Sequence, residues 1–69
     1  MSDFPSRLRE LRLKDGRSQR VLSELCGLHP CAVFRYETGR AAPTVAALIA
    51  LADYFGVSLD YLVGREKIL

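Results

Sequence analysis

The chain has 69 residues, 49% of them hydrophobic, and its ten Lys and Arg against eight Asp and Glu leave a formal net charge of +2. That length allows one domain, spanning 1–69, with a small core that removes roughly 60% of the unfolded surface from water. No apolar run approaches the length of a membrane span, and MSDFPSRLRE lacks the apolar stretch of a signal peptide, so a cytoplasmic protein is expected, its Cys26 and Cys31 as thiols.

Pro5 and Ser6 ahead of Leu8 and Leu11 predict a first helix from about Pro5 to Lys14, stopping at Asp15-Gly16. Ser18 is a good N-cap, and Leu22 and Cys26 repeat at helical spacing behind it, which predicts a second helix from about Gln19 to Cys26. Gly27 ends that helix by accepting the left-handed conformation, and Leu28 is the apolar residue that closes such an end. A third helix starts near Pro30, where a missing N–H costs nothing, and ends at Gly39. Val33 and Tyr36 give it an inward stripe, leaving His29, Cys31, Phe34 and Arg35 to point elsewhere. After a loop from Gly39 to Pro43, Thr44 caps a fourth helix, TVAALIALADYF, closed by Gly56; Ser58 caps a fifth, LDYLV, closed by Gly64. No strand pattern is present, so the fold class is all-α. The expected core is Leu8, Leu11, Leu22, Cys26, Leu28, Val33, Tyr36, Val45, Leu48, Leu51, Ala52, Phe55, Val57, Leu59 and Leu62.

Two short helices joined by one tight turn, at about residues 18–38, are the pattern of a helix-turn-helix, whose second helix is held out to enter the major groove of DNA. The charge distribution agrees. Arg7, Arg9, Arg12, Lys14, Arg17, Arg20, Arg35 and Arg40 all precede Ala41, whereas the remainder carries Arg65 and Lys67 against Asp53, Asp60 and Glu66. The segments RLRELR, SQ, LCGL, RYETGR, AAPT and LADYFGVSLDYLVG, in that order, resemble the Cro and phage-repressor type of helix-turn-helix, the XRE family. The resemblance implies a compact five-helix, lambda-repressor-like domain that binds double-stranded DNA, with the helix from Pro30 as recognition helix and Gln19 as a phosphate contact. It also implies a structural ion pair between Arg12 and Glu37, in which a guanidinium can hold the carboxylate bidentately.

Positions matching the family's groove-facing residues are His29, Pro30, Cys31, Phe34 and Arg35. Only Arg35 can hold guanine O6 and N7 with two donors; Pro30, Cys31 and Phe34 offer apolar contact suited to thymine methyl groups. Phosphate candidates are Gln19, in the first turn of its helix, and Arg40 with the backbone from Gly39 to Thr44 and the Thr44 cap, followed by Arg17, Arg20 and Lys14.

The spacing Cys26, His29, Cys31 lacks the fourth ligand of a structural zinc site, so no metal is expected, and nothing implies a cofactor, a small-molecule ligand or a membrane. An enzyme is not expected: His29 has no Ser or Asp partner, and there is neither a Gly-rich phosphate loop nor a carboxylate pair. Val21 with Leu25, and Ala46 with Ala50, are apolar where relatives carry polar residues, which points to protein contacts and a homodimer. The fifth helix and the tail from Gly64 to Leu69 are further candidate interfaces. The reading is a transcriptional regulator, a repressor on a two-fold symmetric operator; the alternative is a protein-interaction module on the same scaffold, its DNA binding weak or secondary.

Overall fold

Hydroxyl caps start three of the five helices in the computed structural model, which describes residues 3–65. Ser18, Thr44 and Ser58 accept hydrogen bonds from the N–H groups of Val21, Ala47 and Tyr61 at 3.1, 3.0 and 3.0 Å. Each cap is worth about 1 kcal/mol over alanine. They open α2 (Gln19–Leu25), α4 (Val45–Phe55) and α5 (Leu59–Leu62). The first helix, α1 (Phe4–Asp15), carries its proline in the first turn and ends in the left-handed Gly16. The remaining helix, α3 (Ala32–Glu37), ends where Gly39 turns the chain at φ +74°. All described elements are helices, and the fold is all-α.

Helix α3 begins two residues later than the proline suggested. The Cys31 N–H is taken by His29 Nδ1 at 3.0 Å and the Ala32 N–H by the His29 carbonyl at 2.8 Å, so Pro30 and Cys31 form a turn that leads into the helix. Gly27, at φ +71°, supplies the left-handed residue that lets α2 end and the chain reverse toward α3.

Packing joins α1 to α3 and α5, α2 to α3, and α4 to α5. At the centre lie Phe4, Leu8, Leu22, Ala32, Val33, Tyr36, Ala47, Leu51, Ala52 and Leu62, flanked by Leu11, Cys26, Leu28, Leu48, Tyr54, Phe55 and Val57. Phe4 and Tyr36 meet ring to ring at 5.9 Å, and the Arg7 guanidinium lies 4.3 Å from the centre of the Tyr61 ring, fastening α5 to α1. Two expected core residues are not in it. Val45 is 70% exposed and Leu59 42% exposed. Each is the first residue of its helix, and in α4 the inward stripe passes through Ala47 and Leu51 instead. The segment VAALIALADYF is apolar around most of its circumference, so hydrophobicity alone does not select its buried face. Conversely Phe4, four residues before Leu8 and seven before Leu11, is buried on their stripe although it precedes the expected helix start. The candidate interface in the tail falls, from Glu66 onward, outside the described residues.

Candidate nucleic-acid interface

The orientation of α3 is set by side chains that reach it from α1 and α2. Ser23 is fully buried, and its hydroxyl donates to the Gln19 carbonyl at 2.8 Å and accepts from the Val33 N–H at 3.1 Å. The first amides of any helix have no partner within it. Here α2 supplies one, so the two helices share a hydrogen bond at the point where α3 begins. Sequence reasoning passed over Ser23, yet the signal was present: with Gln19 and Cys26 it lies at i, i+4 and i+7 on the inward side of α2. Ser23→Ala should leave the Val33 N–H buried and unpaired and lower stability by ~1–2 kcal/mol. Urea melts would measure this, and unchanged stability would show that the amide finds another partner.

At the far end of α3, Glu37 receives Arg12 in the expected bidentate form, Nε to Oε2 at 2.7 Å and Nη2 to Oε1 at 3.0 Å. Only 12% of the Arg12 side chain and 3% of the Glu37 side chain reach solvent. The hydrogen bond to Glu37 raises the Arg12 pKa above its ordinary value; burial opposes this and the carboxylate charge adds to it. The third guanidinium nitrogen donates to the Arg17 carbonyl at 3.0 Å, tying the loop between α1 and α2 to the same point. Glu37 Oε1 also accepts from Gln19 Nε2 at 2.9 Å. An amide nitrogen carries two hydrogens, so Gln19 is oriented by one and keeps the other for an external acceptor.

Helix α3 divides cleanly. Ala32, Val33 and Tyr36 are buried, while His29, Cys31, Phe34 and Arg35 are exposed and Pro30 is half-buried. Because His29 Nδ1 accepts from Cys31, the neutral ring carries its proton on Nε2, leaving that nitrogen as a donor. Among the described residues no ion pair engages Arg35. Arg40, past the end of α3, lies with its guanidinium carbon 5.4 Å from the centre of the Phe34 ring. The Thr44 oxygen caps α4, and its O–H can still donate.

Lys14 is exposed, whereas Arg17 and Arg20 are partly occupied within the protein. Arg17 donates to the Tyr54 hydroxyl at 3.3 Å and sits 3.6 Å from Asp15, to which Tyr54 in turn donates at 2.6 Å. Its pKa is raised, first by the bond to Tyr54. Arg20 pairs with Glu24 one turn on, at 3.3 Å. Cys31 is an exposed thiol, whereas Cys26 is half-buried and burial pushes its thiol pKa up. Among the described residues, no three His, Cys, Asp or Glu side chains converge as a metal site would require. Val21 and Leu25 are exposed on α2, Ala46 is exposed and Ala50 half-buried on α4.

A short helix fixed by two neighbours on one side, open on the other and flanked by arginines, is the working part of a DNA-binding helix-turn-helix domain. The helix-turn-helix family model matches residues 8–62, and the chain belongs to that family, of the XRE type. It is 41% identical over 61 residues to the HTH-type transcriptional regulator AnsR of Bacillus subtilis (strain 168), a match that covers 88% of this chain and 53% of AnsR. Over 62 residues it is 31% identical to the HTH-type transcriptional regulator ImmR of the same organism, covering 90% of this chain and 49% of ImmR. The HTH-type transcriptional activator BcrR of Enterococcus faecalis is 25% identical over 67 residues, covering 97% of this chain and 33% of BcrR. The chain thus spans about half the length of AnsR and ImmR. These relatives are named as regulators of transcription. No solved structure gives a significant match.

Proposed function

We propose that the chain is the DNA-reading domain of a cytoplasmic transcriptional repressor that occupies a two-fold symmetric operator as a homodimer. The observation that carries this reading is the division of α3, whose inner face is pinned by Ser23 and Arg12 while its outer face presents Arg35. Arg35, His29, Pro30 and Cys31 face the major groove, with the Phe34 ring at their edge. Arg35 reads guanine, and Cys31 and Pro30 rest on thymine methyl groups. Gln19, Arg40 and Thr44 hold phosphates; Arg17 and Arg20 join them by exchanging Tyr54, Asp15 and Glu24 for the backbone. A helix of six residues spans only a few base pairs, so a second copy one helical turn away supplies the rest of the site.

The exposed Val21 and Leu25, at 40% and 53%, favour a second reading, a module that binds another protein. Mobility shifts over a salt series separate the two. DNA binding predicts log affinity falling linearly with log salt, by about 0.9 per phosphate contact, and Arg40→Ala should remove one such step. Sites selected from a random duplex pool should be two-fold symmetric with half-sites about 10 base pairs apart, bound by two chains, and removal of the protein should raise transcription from a promoter that contains one. An absence of salt-dependent binding would favour the protein module; asymmetric sites bound by one chain would remove the dimer.

A further inference from the structure

We infer that Phe34 is a positioning residue for Arg40: its ring holds the guanidinium ready for a DNA phosphate, so Phe34 adds affinity for any sequence and takes no part in choosing a base. This rests on the DNA-binding reading above. The backbone makes the pairing. Past the end of α3, the Gly39 N–H bonds to the Tyr36 carbonyl at 3.2 Å and the Arg40 N–H to the Arg35 carbonyl at 2.9 Å, the paired bonds of a helix end that turns through a left-handed glycine. That geometry lays the residue after the glycine against the side chain six positions earlier, where an apolar contact is usual. Here the two residues are Arg40 and Phe34, both exposed, and the contact is a cation on a ring face at 5.4 Å.

The chemistry of the seat matters as much as its place. Arg20 is held by a carboxylate and Arg17 lies beside one, which a phosphate must displace. A ring face orients a guanidinium without neutralising it and without an acceptor oxygen to compete for its N–H donors. An arginine otherwise loses much rotamer freedom when it is fixed on a ligand. Phe34 restricts that freedom beforehand, and the charge stays available.

The test is a salt series of mobility shifts on random duplex and on a selected site, with thermal melts by circular dichroism for each variant. Phe34→Leu should melt like the wild type, since the ring is exposed, and should weaken binding to both duplexes alike, roughly 2- to 5-fold. Phe34→Tyr should restore binding, and in an Arg40→Ala background Phe34→Leu should have no further effect. The inference is overturned if Phe34→Leu changes preference at one base pair while sparing random duplex, if its loss adds fully to that of Arg40→Ala, or if Phe34→Tyr fails to rescue. Failure of the wild-type chain itself to bind duplex in a salt-dependent manner would instead bring down the DNA-binding reading.

Discussion

Glu37→Ala is expected to cost the domain about 3–5 kcal/mol, the range for removing one member of a buried ion pair. A chain of this size has only roughly 3–10 kcal/mol in total, so the change should remove between about a third and all of its stability and lower the melting temperature steeply. The reason is that one carboxylate serves two donors. Without it the Arg12 guanidinium is left largely buried without its anion, and the Gln19 amide loses the bond that orients it. Arg12→Ala should be milder, because Glu37 retains Gln19. Chemical denaturation of both single variants and the double variant gives the coupling energy, and a value indistinguishable from zero would make the pair a surface contact despite its burial.

The largest effect on recognition is expected at Arg35. Replacing it with alanine should reduce discrimination at one base pair by about 1–3 kcal/mol, which is about 5- to 150-fold. Folding should be unaffected, since the side chain is exposed. Binding measured against a panel of single base-pair changes in the selected site would show a flat response at the position Arg35 reads. Equal losses on the selected site and on random duplex would assign Arg35 to a phosphate instead.

Helix positions were legible in the sequence because their ends are marked chemically: Ser18, Thr44 and Ser58 at the starts, Gly16, Gly39 and Gly56 just past the ends. The Arg12 and Glu37 pair was legible only through the family resemblance, since 25 residues separate its members and no local pattern links them. Three things escaped. The true start of α3 depends on the His29 ring taking the backbone amide two residues on, a local bond that a proline at the expected first position obscures. The buried face of α4 depends on Ala47, whose small side chain carries less hydrophobic weight than the exposed Val45. Ser23 escaped because a polar residue reads as surface until a partner amide is known. Of the candidate phosphate contacts, Arg17 and Arg20 each have a partner within the protein, which no sequence pattern foretold for Arg17 because Tyr54 lies 37 residues away.

Helix α3 has less than two full turns and cannot hold its shape in isolation. Apart from His29, whose ring takes the Cys31 N–H just ahead of the helix, what holds it comes from residues outside the proposed groove-facing positions: Ser23, Val33, Tyr36, Glu37 and Arg12. The Cys31 and Arg35 side chains are therefore interchangeable parts on a fixed mount. On the proposed DNA-binding reading, substituting Cys31 and Arg35 together would retarget the domain to a different DNA sequence without reopening the problem of folding, and a lineage of such chains could diversify its targets by changing two exposed side chains while the frame beneath them stays the same.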